Sequence, residues 1–169
     1  KIEDAISFAR EQLDFFSVTG HFAWPDMDEE GKNIPEDVKE YHRKGFEKLR
    51  KNWPHYLECM NEAEDSTFIP FPSYEFHSFI YGDYTILCKN PIEELPAPVE
   101  KGQADMRLIN LVNANEDQRE KYLCTPHHIG YKEGWRGISW SHYREEPSPL
   151  IEIISMHGCS ESYEATPKY

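Results

Sequence analysis

Basic residues are scarce in this 169-residue chain: 18 Lys and Arg stand against 31 Asp and Glu, a formal charge of −13. That balance excludes a non-specific nucleic-acid binder, which needs basic surface to neutralise phosphates, and it argues against docking on an anionic membrane. Long hydrophobic runs are also missing, so no segment reads as a membrane span. The four cysteines, Cys59, Cys88, Cys124 and Cys159, lie far apart and form no C-x-x-C pair, which rules out zinc-ribbon and thioredoxin motifs. Cys88 and Cys124 sit in apolar runs, where a thiol behaves as a small hydrophobe. No Walker or G-x-G-x-x-G pattern occurs, so a phosphate-cradling Gly loop is unsupported. The run His157-Gly158-Cys159-Ser160 is not a G-x-S-x-G elbow and reads as a tight turn. A Cys159 nucleophile there would need the loop to fold back so that His157 served as its base. The acidic stretch from Asp26 to Glu30 lacks the spaced ligands of a calcium loop and reads as a solvated loop.

What is present suits a globular domain. Hydrophobic residues make up 38% and aromatic residues 14% of the chain, enough to bury a core without staples. Residues 1–169 read as one partial domain. No Met precedes Lys1, and the chain opens inside an amphipathic pattern (Ile2, Ala5, Ile6, Ala9, Leu13) with no capping residue before it. The sequence therefore reads as an internal fragment. Pro35 followed by Glu36 and Asp37 opens a second helix whose stripe runs Val38, His42, Gly45, Leu49, Trp53; Pro54 should kink or restart it on the way to Glu62. Strands are expected at Phe15–Val18, Phe68–Phe76, Tyr84–Cys88, Tyr122–Thr125 and Leu150–Met156, the last being the clearest buried run. Short helices are expected at Met106–Val112 and Glu116–Lys121, after a Pro-rich loop over 91–102. Strands separated by helical segments point to an α/β fold with a mainly parallel sheet, whose functional groups gather at the carboxyl ends of the strands.

Four of these apolar runs end on metal-competent residues: His21, Glu75, the pair His127 and His128, and His157. Parallel strands would bring all four ends to one face, and imidazole with carboxylate is the ligand set that suits zinc, iron or manganese. Either His127 or His128 fits, because successive strand residues face opposite ways. His77 shares the face of Glu75 and suits an outer role; His42 and His55 read as packing or solvated helix residues, and His142 as structural. In an acidic chain, Arg136 in the Gly- and Trp-containing loop after the His pair is the candidate for holding an anionic substrate.

The blocks Ser17-Val18-Thr19-Gly20-His21, Pro72-Ser73-Tyr74-Glu75-Phe76-His77-Ser78, Thr125-Pro126-His127-His128 and Ile151-Glu152-Ile153-Ile154-Ser155-Met156-His157-Gly158 together resemble the PHP (polymerase and histidinol phosphatase) superfamily, in a bacterial branch of unassigned substrate. The resemblance covers almost the whole chain. It implies a parallel-strand, distorted (β/α)7 barrel, here incomplete at both ends, with a two- or three-metal site. It also implies a metal-dependent hydrolase, of phosphoesters in most characterised members, in which metal-bound hydroxide attacks phosphorus. By the same resemblance His21, Glu75 and one of His127 or His128 are metal ligands, His157 fits the branch's strand-end motif, and Asp83 stands where relatives often carry His and can serve as an oxygen ligand. Three departures stand out, the first being Asp83 in place of that His. Gly20 replaces an Asp often found before the His, and the pattern's opening His-x-His and closing Asp-x-His are not in this chain. These departures keep open an alternative, a non-catalytic binding or structural module with a degenerate metal site.

Overall fold

The protein is described by a computed structural model, which covers residues 1–89, 95, 121–155 and 157–161. Helix α1 (Ile2–Arg10) turns Ile6 and Ala9 inward, as its apolar period requires, and carries Glu3 and Asp4 in its first turn where they favour the positive helix end. Helix α2 (Glu36–Ala63) runs 28 residues and continues through Pro54 without a break. Its buried residues, His42, Trp53, Tyr56, Cys59, Met60 and Ala63, follow one stripe.

Both helices serve a mixed sheet of four strands in the order β2 (Thr19–Ala23), β4 (Ser73–Phe76), β5 (Asp83–Cys88), β6 (Tyr122–His127). Strands β1 (Phe15–Phe16) and β3 (Ile69–Pro70) form a small parallel pair, and β7 (Ile154–Ser155) with β8 (Gly158–Cys159) a small antiparallel one. In the main sheet β2 is parallel to β4, whereas β5 is antiparallel to both β4 and β6. Strands β2, β4 and β6 therefore run the same way, with β5 reversed among them.

The register gives the sheet two unlike faces. Tyr74, Ile86 and Cys124 lie in one row and Phe76, Tyr84 and Pro126 in the next, all on one face. Tyr74, Phe76, Tyr84, Ile86, Cys88 and Cys124 pack there with Ile6, Ala9, Trp53, Tyr56 and Met60 of the helices. Gly20 lies on this face too: a Cβ at Gly20 would come within 2.8 Å of the Leu49 side chain, so α2 approaches β2 closely because no side chain intervenes. The alternate residues His21, Glu75, Thr85, Asp83, Thr125 and His127 point to the other face.

This is not the expected (β/α)7 barrel. The described residues contain two helices and several small sheets, and no barrel closes. The reason lies in a connection. Only residues 77–82 join β4 to β5, and a parallel crossover needs a dozen residues or more, so the two strands must pair as a hairpin. Three further expectations change. His21 sits within β2 rather than beyond a strand end. Of the expected strand Leu150–Met156, the described residues 150–155 are not a buried strand: Leu150, Ile153 and Ile154 are 57%, 41% and 64% exposed, and only Ile154–Ser155 pair. Asp26 is not solvated; its Oδ2 accepts hydrogen bonds from Ser78 Oγ and the Phe79 and Ile80 amides, tying down the turn that follows β4. The expected helices at 106–112 and 116–121, and the loop over 91–102, lie outside the described residues. No described helix is long and apolar enough to cross a membrane, and all four cysteines are free.

A backbone contact locks the 129–140 loop to the sheet. Gly82 has φ +90°, and a Cβ there would meet Gly137 O and Ile138 Cα at 2.7 Å, while the Asp83 amide donates to Arg136 O at 3.1 Å. Gly82→Ala should therefore destabilise the fold by more than about 1 kcal/mol, measured by urea denaturation. A variant within about 0.5 kcal/mol of the parent would contradict this account of the contact.

Candidate metal centre

Because β2, β4 and β6 run the same way, His21, Glu75 and His127 reach one rim of the sheet, and because β5 is reversed its first residue, Asp83, starts there. His21 pairs in register with Glu75, and Asp83 with His127. The sheet thus brings together residues spread over more than a hundred positions. Glu75 is at the centre: its carboxylate lies 3.4 Å from His21 Nε2, 3.4 Å from His77 Nδ1, 3.7 Å from His127 Nε2 and 3.8 Å from His128 Nε2. Asp83 Oδ2 is 3.1 Å from His77 Nδ1 and 3.9 Å from His128 Nε2.

Both members of the His127–His128 pair face Glu75, although neighbouring strand residues ordinarily diverge. The backbone explains this. His128 leaves β6 with φ +56°, a left-handed conformation rare for a side-chain-bearing residue, which swings its ring back beside that of His127. The other described non-Gly residue with positive φ is Arg136, at +66°. Strain of this kind concentrates where a site must hold a side chain in place.

Three groups of residues here have ligating atoms within 4.8 Å of one another: Glu75, His127 and His128; Glu75, His77 and Asp83; and His21, His42 and His77. Each can hold a metal ion. The donor set also fits a cation in its electronic state. Glu75 Oε1, His77 Nε2, Asp83 Oδ1, His128 Nδ1 and His42 Nδ1 are buried without a hydrogen-bond partner, and such groups in a native interior call for a compensating ion or donor. Burial pushes the His42 imidazole down to about 3 and His128 to about 2, and holds His77 well below the ordinary 6.5. Lone pairs on these rings are therefore available at neutral pH.

His127 is held differently. Burial lowers its pKa, but the hydrogen bond from its Nδ1 to Glu152 Oε2 at 2.7 Å and the charges of Glu75, Glu152 and Asp83 outweigh that and raise it. A carboxylate on one ring nitrogen fixes the orientation of the other, the arrangement commonly found behind metal-bound histidine. Here it aims Nε2 at Glu75.

Arg136 lies inside the cluster rather than on an open surface. Its Nε donates to Asp83 Oδ2 at 2.6 Å, its Nη2 is 3.1 Å from His77 Nδ1, and its guanidinium stacks over Trp24. Burial pushes the Asp83 carboxyl up to about 7 even with this cation beside it. His157 stands at the margin, its ring 4.2 Å from that of His128 and its Nδ1 3.2 Å from the Tyr131 hydroxyl, outside the three groups. Cys159 lies 3.7 Å from Glu161, while His157 is engaged with Tyr131, so the two do not form a nucleophile–base pair.

Two participants are not foreseen as site residues. His42 is buried and stacks on His21 at 5.0 Å between ring centroids; its place in the α2 stripe signalled burial, not proximity to His21. Glu152 carries no signal in the sequence, since its run reads as an apolar strand. No protein-family model matches the chain, and no curated protein or solved structure is significantly similar to it.

The buried imidazoles predict a pH dependence. His42, His77 and His128 stay neutral in the fold while the unfolded chain takes up protons below 6.5, so their contribution to stability falls as the pH drops through that value. Asp83, raised by burial to about 7, and Asp26, also raised by burial, act oppositely, but they are two carboxyls against three imidazoles. His127, with a raised pKa, acts only above 6.5. The melting temperature of chelator-treated protein should decrease from pH 7 to pH 5; a constant or rising value would contradict the buried-neutral assignment.

Proposed function

We propose that the protein is a metal-dependent hydrolase of PHP-like type, acting on an anionic small molecule, a phosphoester. The observation that carries this reading is that Glu75 belongs to two ligand groups at once, Glu75–His127–His128 and Glu75–His77–Asp83. One carboxylate between two ligand sets is the arrangement a two-metal hydrolytic site needs. Divalent zinc, manganese or iron bound there would supply a nucleophilic water near neutral pH and positive charge for the developing oxyanion.

The chain's own residues have separable roles in this proposal. His21, Glu75, His127, His128, His77 and Asp83 hold the ions, with His42 beside His21 and His77 as a further donor, and His157 at the rim. Glu152 keeps His127 Nε2 pointed at Glu75. Arg136 spends Nε and Nη2 on Asp83 and His77, which leaves Nη1 to meet a substrate oxygen.

A second reading, a non-catalytic binding module, draws on the same Arg136–Asp83 pair, since a guanidinium at 2.6 Å already occupies one of the proposed ligands. Metal analysis combined with a phosphatase screen separates the two. Protein stripped by chelator and reloaded with zinc, manganese or iron should hydrolyse an aryl phosphate mono- or diester, and Glu75→Gln should lower metal affinity about 10–100-fold and abolish turnover. Metal bound at the Glu75 centre with no turnover of any phosphoester would defeat the phosphoesterase reading and favour the module.

A further inference from the structure

A second cluster lies away from the Glu75 centre, where α1 crosses α2. His55 and Cys59 are one helical turn apart on α2 and so share a face, and Glu3 of α1 reaches the same point. Cys59 Sγ lies 3.6 Å from His55 Nε2, and that same nitrogen lies 3.0 Å from Glu3 Oε1. The three ligating atoms fall within 4.8 Å of one another.

We propose that Cys59, His55 and Glu3 form a separate site for a borderline-soft divalent ion such as Zn²⁺, clamping α1 to α2. This inference stands independently of the hydrolase reading. Three observations support it. The first is the donor set, one thiol, one imidazole and one carboxylate, which selects zinc-like ions over the hard cations that prefer oxygen alone. The second is distance. Zn–S of about 2.3 Å and Zn–N of about 2.0–2.1 Å at the tetrahedral angle place sulfur and nitrogen about 3.5 Å apart, close to the 3.6 Å found. The Glu3 carboxylate needs to retreat from Nε2 by only a few tenths of an ångström. The third is access: Glu3 and His55 line a cavity of about 930 Å³ between α1, β2 and α2, which gives the ion an entry path and room for water as a fourth ligand.

Burial, followed by the charges of Glu3, Glu58 and Glu62, pushes the Cys59 thiol up, so it stays protonated until an ion displaces the proton. Glu58 Oε2 stands 3.6 Å from His55 Nδ1, where it can accept the ring proton's hydrogen bond once an ion takes Nε2; Cys59 Sγ lies 3.9 Å from the same Nδ1. Metal binding would release the thiol proton to solvent and leave the thiolate on the ion.

The test is a cobalt titration of chelator-stripped protein read by near-ultraviolet absorption. Thiolate-to-Co²⁺ charge transfer reports sulfur ligation, and the Glu75 centre contains no thiol. The band should develop with about one sulfur-bound cobalt per chain, be displaced by Zn²⁺, vanish in Cys59→Ser and persist in Cys159→Ser. Glu3→Gln and His55→Gln, both at exposed positions, should each weaken cobalt affinity at least about tenfold. Absence of the band in the parent protein overturns the proposal, as does a band that survives in Cys59→Ser and is lost in Cys159→Ser. Should Cys59→Ser fail to fold, unchanged cobalt affinity in both Glu3→Gln and His55→Gln overturns it equally.

Discussion

Glu75 is a carboxylate that the fold places in its interior, and the rest of the site is arranged around that fact. An isolated buried charge is too costly to keep, so it must be met by cations, donors or a proton. Here it is met by four imidazoles between 3.4 and 3.8 Å away and by the Arg136 guanidinium at 3.7 Å. The sheet makes the arrangement possible by separating its faces. Apolar side chains of β4, β5 and β6 pack with the helices on one side, leaving the alternate residues to form a polar layer on the other.

Local devices hold that layer in place. The Gly82–Gly137 contact presses the Arg136 loop against the start of β5, and Asp26 secures the turn between β4 and β5. The left-handed backbone at His128 turns a residue that would face away back toward Glu75. The first and last of these devices fix side chains, Arg136 and His128, within reach of the same carboxylate, and all three lie in a loop or at a strand end, where function-bearing residues gather on a rigid frame. Deeply buried rings that stay neutral, beside carboxylates with unpaired oxygens, make a cluster that could hold a divalent ion.

Much of this was legible in the sequence. Helices α1 and α2 followed from their apolar period, and β4, β5 and β6 from short apolar runs ending at turn residues. His21, Glu75, His127 and His128 were marked by their position at or near strand ends and Asp83 by the motif resemblance alone, and the structure brings them to one rim. The barrel was not correct, because the motif resemblance outweighed the six-residue link between β4 and β5, which by itself demands an antiparallel pair. The choice between His127 and His128 could not be read, since strand alternation assumes regular backbone and His128 departs from it. Glu152 was hidden because the run Leu150–Met156 looks like a buried strand, whereas Leu150, Ile153 and Ile154 are exposed and Glu152 bonds His127. His42 was visible as a member of a buried stripe, but nothing local indicates that its ring meets His21 across elements.

Anomalous diffraction from crystals grown with zinc or manganese tests the central claim most directly. The account predicts a peak between Glu75 and the rings of His127, His128 or His77, with metal–ligand bonds of about 2.0–2.2 Å and, if two ions bind, a separation of about 3.5–4 Å. No anomalous density within reach of Glu75 in metal-saturated crystals, with His21 and Glu75 still side by side, would contradict it.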